Sequence, residues 1–280
     1  MRISHEKYKS RDYIMEIVLW ILSLIILIPF YYLAVNTFKS PAHVTHAPMA
    51  LPGADFSFSS YQEAWSKMNY PRVFINNLIY TGASVVLNLF VSSMAAYALV
   101  MKRTRFHRFI YLLFISSIMI PFQMLIIPLM RMFSDFHMMN TYQGVILVYV
   151  FTNISFVTFL YYSFVKTIPP QLEEAARMDG ATVMQTFWRI YFPLLVPVTV
   201  TAGINLVIGF WNDFLVQVLF ISKPEMQNIT RAVFSNVGQF TTDWSTLLPM
   251  FMLSMLPLIV FFFFMQKYIV KGLVAGSVKG

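Results

Sequence analysis

The chain has 280 residues, of which 58% are hydrophobic and 11% charged, and its formal net charge is +8. A soluble domain carries roughly 25% charged residues, so this chain cannot cover a water-facing surface; recurring apolar runs of about 20 residues, enough to cross a hydrocarbon core of roughly 30 Å, mark an all-α polytopic membrane protein. Continuous rather than alternating runs argue against a β-barrel, and the absence of cysteine rules out a disulfide frame or a thiolate metal site. The positive charge reads as basic residues flanking membrane spans, not as a nucleic-acid surface. His43 and His46 form the one close histidine pair, in a Pro-rich segment with no carboxylate beside them, so no metal site is expected.

In chain order, residues 1–12 are a basic N-terminus. The first span follows at about 13–35; it is too long for a signal-peptide core, with no small-x-small cleavage site after it. A polar, Pro-rich segment at 36–72 should carry a short helix over 60–67. The second span is about 73–100. The third, about 108–130, holds Pro121 and Pro128, which should kink it. A short segment at 131–141 leads to the fourth span at about 142–165. A charged insertion occupies 166–192. The fifth span runs from about 193 to 221, a polar loop covers 222–246, the sixth span is about 247–268, and 269–280 is a tail. Most of the Lys and Arg residues fall in 1–12, 101–108, 166–192 and the tail, with Lys102, Arg103, Arg105 and Arg108 the densest group. The positive-inside rule therefore puts these segments and both termini in the cytoplasm. The segments 36–72, 131–141 and 222–246 then lie outside.

The insertion has an internal order. Pro169 and Pro170 can open a helix, where a missing N–H costs nothing. Glu173 and Glu174 then fall in its first turn, where carboxylates suit the helix N-terminus. Ala175, Ala176 and Met178 offer a small surface for close approach. Asp179 and Gly180 should end the helix, glycine tolerating the left-handed backbone of a C-cap. A second short helix should cover 182–191, with Val183, Phe187 and Ile190 on one apolar face, and Pro193 starts the fifth span. An interfacial helix would account for the amphipathicity. It would not require this spacing, which suits docking into a groove of a soluble partner.

Glu174-Ala175-Ala176, Gly180, Ile190 and Phe192-Pro193 together resemble the EAA loop of ATP-binding-cassette importer permeases, with Phe192 where that family usually has Leu. Further segments are similar to the carbohydrate permeases of the maltose type, and specifically to the second permease of that system. They are Ala95-Ala96-Tyr97-Ala98, Met119-Ile120-Pro121, Trp211-Asn212-Asp213-Phe214 and the tail Lys271 to Gly280. The resemblance implies six transmembrane helices in a type I ABC importer fold. It implies a heterodimer with a second permease, two copies of a cytoplasmic ATP-binding subunit beneath, and an extracytoplasmic sugar-binding protein above. ATP and Mg would be bound by the ATPase, since this chain has no G-x-x-x-x-G-K-[ST] motif and is expected to be neither an enzyme nor a cofactor binder.

By the same resemblance, Glu173, Glu174, Ala175, Ala176, Arg177, Asp179, Gly180, Ile190 and Pro193 would form the ATPase-coupling element. Ala275, Gly276, Ser277, Val278 and Lys279 would reach the ATPase pair, the alternative being an unstructured terminus. Ser235, Asn236, Val237, Gly238 and Gln239 would touch the binding protein, or else belong to an inert connector. Trp211, Asn212 and Asp213 would line a sugar path or, equally in keeping with an acid within a span, make a polar contact between helices. The resemblance implies a di- or oligosaccharide as solute, with glycerol-phosphate an alternative for the same class. An ion-coupled secondary transporter would need intramembrane ionisable groups and repeated halves; Asp213 alone qualifies, and no repeat is visible. A membrane enzyme would need a His or carboxylate cluster on adjacent spans, and none is present.

Overall fold

The structure is a computed structural model that describes residues 10–53, 56–102, 104–238 and 242–277, the side chains of 269–277 excepted. All regular structure among these residues is helical. The chain forms two compact units, residues 1–68 with 236–255 and residues 69–235 with 256–280.

In the first unit, α1 (Ser10–Asn36) is apolar on every side, and its most apolar stretch has no buried residue. Such a helix suits a hydrocarbon environment. The segment that follows is folded, as its length requires. The Lys39 side chain is buried, and its Nζ donates to the Ala47 carbonyl at 2.8 Å and to Asn36 Oδ1 at 3.2 Å. Asn36 Nδ2 donates to the Pro48 carbonyl at 2.8 Å, which closes α2 (Pro41–His46) back on α1. Phe38 packs on Phe56, Phe58 and Tyr61 with ring centroids 5.2–5.4 Å apart, seating α3 (Ser59–Met68). A long final helix begins at Trp244, just after Asp243, whose carboxylate accepts from Ser245 Oγ and Thr246 Oγ1, both at 2.6 Å. Burial pushes this carboxyl up, but those hydrogen bonds and the Lys67 ammonium 4.0 Å away outweigh it and hold it below the usual carboxylate range.

The second unit is built on α4 (Tyr70–Met101) and α7 (Tyr142–Val165). Val85, Ala96 and Tyr97 of α4 share a core with Val145, Val148, Val157 and Tyr161 of α7. Polar groups join the same two helices: Asn88 Nδ2 donates to the Val150 carbonyl at 3.2 Å and is itself bonded by Ser92 Oγ at 3.1 Å. Small and polar residues between spans allow close approach where lipid offers no hydrophobic drive.

Between them run α5 (Arg105–Ile118) and α6 (Phe122–Asp135), which meet at 105°. Each has 14 residues, about 21 Å at 1.5 Å per residue, too short to cross alone. The break falls at Pro121, which disfavours helix at the residue before it. Pro128 lies inside α6, which continues through it, while the sharp bend falls at Pro121. After α7 come α8 (Gln171–Met178), α9 (Val183–Thr186), a π-helical turn at Phe187–Tyr191 and α10 (Phe192–Leu194). A 74° bend leads into α11 (Val196–Trp211). The continuous helix expected over 193–221 is thus interrupted twice, at Leu195 and at 212–214, before α12 (Leu215–Phe220). The loop after α12 is partly helical, with α13 at Ile229–Phe234. The last helix, α14 (Trp244–Ser277), carries on through most of the expected tail. Of the described residues, four helices and the two bent pairs are long and apolar enough to cross a membrane.

Candidate functional site

The charged insertion folds as two short helices around a tight corner. Pro170 caps α8 at its N-terminus, and its carbonyl accepts from the amides of Glu173 and Glu174. The helix ends in a Schellman motif. The Ala181 amide donates to the Ala176 carbonyl at 2.9 Å, and the Gly180 amide to the Arg177 carbonyl at 3.0 Å. This pattern needs a left-handed residue after the cap, and Gly180 has φ +76°. Asp179 is the C-cap residue itself.

The next helix opens with a capping box. Thr182 Oγ1 accepts from the Gln185 amide at 3.3 Å, and Gln185 Oε1 accepts from the Thr182 amide at 2.8 Å. The T-x-x-Q spacing of Thr182 to Gln185 carries that signal in the sequence.

The faces of this element are distinct. Ala176 is buried, while Glu174, Ala175, Arg177, Met178 and Asp179 are exposed. Glu173 turns inward, its side chain 14% exposed, and pairs with Arg177 one helical turn on. Glu174 is therefore the carboxylate that faces outward.

The expected apolar face of Val183, Phe187 and Ile190 does not form as such. Val183 is 66% exposed and Ile190 half-buried, whereas Phe187 and Tyr191 are buried. The π turn widens the helical step locally, the Phe192 amide bonding the Phe187 carbonyl five residues back. A 3.6-residue periodicity does not describe that stretch. Phe187 and Tyr191 close on Tyr97 of α4, with ring centroids at 5.2 and 4.8 Å. The Ala95-to-Ala98 segment and the end of the insertion, distant in sequence, thereby meet in one aromatic joint. Pro193 is exposed and precedes the bend at Leu195.

The other expected sites fare differently. Trp211, Asn212 and Asp213 do not converge on a common space. Trp211 is buried edge-on against Phe74, while Asn212 is exposed and donates back to the Ile208 carbonyl at 2.9 Å. The Asp213 carboxylate accepts from Tyr149 Oη at 3.0 Å and from the amides of Val216 and Gln217 at 3.1 and 3.3 Å. Its carbonyl accepts from Asn228 Nδ2 at 2.7 Å. The residue ties α7, α12 and the start of α13 together.

The first half of the following loop is held down as well. Asn76 Nδ2 donates to the carbonyls of Glu225 and Gln227, Tyr80 Oη donates to Met226, and Asn77 Oδ1 accepts from the Ile229 amide. Ser235, Val237 and Gly238 are exposed and Asn236 is half-buried; Gln239 lies outside the described residues. Ala275, Gly276 and Ser277 fall in the last turn of α14, and Val278 and Lys279 lie outside the described residues.

Comparison with known proteins is consistent across this fold. Residues 88–274 match the family described as "Binding-protein-dependent transport system inner membrane component". The chain is 33% identical to the probable starch degradation products transport system permease protein AmyC of Thermoanaerobacterium thermosulfurigenes, over 98% of this chain and 99% of that protein. It is 35% identical to the melibiose/raffinose/stachyose import permease protein MelC of Bacillus subtilis, over 90% and 91%. A solved structure of a bacterial ABC transporter involved in the import of the acidic polysaccharide alginate superposes with a TM-score of 0.83 at 25% identity, covering 94% of this chain and 99% of that one. The chain belongs to the inner membrane components of binding-protein-dependent transport systems: it is a permease subunit of an ABC importer and not an enzyme, in a family that works with a partner permease, an ATPase and a substrate-binding protein.

Proposed function

We propose that this permease forms half of the translocation path of an ATP-driven sugar importer, in a heterodimer with a second permease above two copies of the ATP-binding subunit. The solute class is di- or oligosaccharide, supported by the starch-product and melibiose/raffinose/stachyose permeases among its relatives. Both termini and the 166–192 loop face the cytoplasm of a bacterial cell, and 36–72, 131–141 and 222–246 face outward, as the Lys and Arg distribution supports. ATP and Mg are held by the ATPase.

The observation that carries the coupling role is the construction of α8. It presents Glu174 and Ala175 outward on a helix fixed at one end by the Gly180 corner and anchored behind by Phe187 and Tyr191 on Tyr97. A rigid element with an acidic outer edge suits a groove on the ATPase lined by basic groups. When ATP draws the ATPase pair together, movement of α8 passes through the aromatic joint to α4, and so to the membrane path. The last turn of α14, Ala275 to Ser277, extends this contact with Val278 and Lys279 beyond it, and the Ser235 to Gly238 stretch, exposed at Ser235, Val237 and Gly238, meets the sugar-binding protein together with Gln239. Asp213, whose Oδ2 accepts from Tyr149 Oη and the amides of Val216 and Gln217 and whose carbonyl accepts from Asn228, is assigned to structure and not to sugar binding.

The test is to co-express the chain with its partner subunits and measure uptake of radiolabelled maltotriose and raffinose in vesicles carrying Glu174→Lys. A variant complex of normal abundance should lose ATP-driven uptake and the stimulation of ATP hydrolysis by the binding protein. Wild-type uptake by that variant would sink the coupling role of α8, and purification of an active chain with no ATPase would sink the reading as a whole.

A further inference from the structure

We infer that the chain holds the headgroup of an anionic phospholipid in a cavity at the root of the coupling loop. The cavity, of about 820 Å³, opens between the end of α4, the start of α5, the end of α7 and the first turn of α8. Lys102, Arg105 and Arg108 line it, and Lys166 joins them from the end of α7. Arg105 and Arg108 are three residues apart on one helix and therefore share a face. The carboxylate in the cavity is Glu173, already paired with Arg177. No ion pair among the described residues engages the cations of the α4–α5 corner, so the cavity carries an uncompensated positive charge.

Much of the remaining lining is apolar. Leu99 and Val100 of α4, Leu112 of α5, and Val165 and Ile168 from the α7 end belong to it. Tyr111 and Tyr162 stack there with centroids 3.6 Å apart, and Lys166 Nζ lies 5.6 Å over the Tyr162 ring. Phe106, Phe109 and Leu113 of α5 beside it are exposed, as on a surface that meets acyl chains.

A free anion would use the basic side chains alone. A phospholipid uses the whole lining, placing phosphate oxygens on the guanidinium forks and its glycerol and acyl carbons against the apolar residues. Basic pockets between spans at the cytoplasmic face select anionic headgroups in this way. Pro170 and Glu173 of α8 also line the cavity, with Tyr191 of the aromatic joint. A bound headgroup would thus steady the coupling loop, and transport would depend on anionic lipid. The inference rests on the cytoplasmic placement of α8 proposed above.

The complete transporter is purified from a membrane containing phosphatidylglycerol, and its retained phospholipids are measured by mass spectrometry. It is also reconstituted in vesicles of phosphatidylcholine alone or with graded phosphatidylglycerol. Arg105→Gln with Arg108→Gln should abolish a retained phosphatidylglycerol and raise the amount needed for half-maximal ATPase stimulation by roughly thirtyfold, two surface charges' worth. Arg105→Lys with Arg108→Lys should restore retention, which separates charge from misfolding. Arg11→Gln with Lys267→Gln, an equal loss of charge elsewhere, should behave as wild type.

Unchanged retention in the Gln variant would overturn the site, as would an equal loss in the control pair. Inorganic phosphate reproducing the stimulation in phosphatidylcholine vesicles would overturn the lipid as the source. Release of the ATPase with retained lipid unchanged would show a protein-docking surface instead. Lipid retention does not require coupling, so it can be lost or kept whether or not the Glu174 variant transports.

Discussion

At the scale of single residues, Gly180 shows how little and how much a position can require. A Cβ built there meets nothing within 4 Å, so bulk within this chain is not the constraint. The constraint is φ +76°, which costs a residue with a Cβ roughly 1–2 kcal/mol. Asn tolerates that conformation better than Ala, and a β-branched residue worst. Transport at equal complex abundance should therefore fall in the order Gly180→Asn, Gly180→Ala, Gly180→Val. A ranking by side-chain size alone, with Ala the mildest, would show that the ATPase groove and not the backbone sets the requirement. Asp213 teaches the complementary lesson. From sequence, an acid in a span is equally a substrate contact or helix glue. Its partners Tyr149 and Asn228 lie 64 and 15 residues away, and nothing local announces them.

At the scale of elements, the 166–192 loop is a helix, a corner, a second helix and an aromatic anchor, and the first three are legible in the sequence. The Pro-Pro start, the acidic first turn and the Asp-Gly stop each follow from local backbone chemistry. The anchor is legible only in part: period-3.6 reasoning selects Phe187 but adds Val183 and Ile190 in place of Tyr191, and the π turn brings Phe187 and Tyr191 inward together. Phe187→Ala should cost roughly 3–5 kcal/mol of packing, concentrated in this loop. Hydrogen exchange should accelerate across 183–191 while α4 and α7 stay protected. Equal acceleration throughout α7 would mean the joint belongs to the global core and not to a hinge.

At the scale of the whole molecule, the absence of cysteine makes topology directly measurable. Glu174→Cys should react with a membrane-impermeant maleimide only when the cytoplasmic face is open. Gly238→Cys should react from the outside of intact cells, or of spheroplasts where an outer membrane intervenes. Both positions are exposed in the chain itself, so with the permease pair expressed without the ATPase and the binding protein, accessibility reports sidedness and not burial. Labelling of both from one side would overturn the proposed orientation.

Composition, run length and the distribution of charge determined from sequence that this is a helical membrane protein, and the ordered Glu-Ala-Ala, Gly and Ile-x-Phe-Pro spacing pointed to the permease family. These signals are short-range: hydropathy over 20 residues, a cap over four, a motif within one loop. Only the tertiary structure decided that the third and fifth spans break sharply, that Asp213 is shared between three helices, and that Tyr97 receives Phe187 and Tyr191. It also brought four cations and a set of apolar residues together in the lining of the α4–α5–α7 cavity. Each of those results depends on contacts between residues tens of positions apart, and the side chains that make them, aromatic, asparagine or basic, are equally at home on a lipid-facing surface until a neighbouring helix is in place.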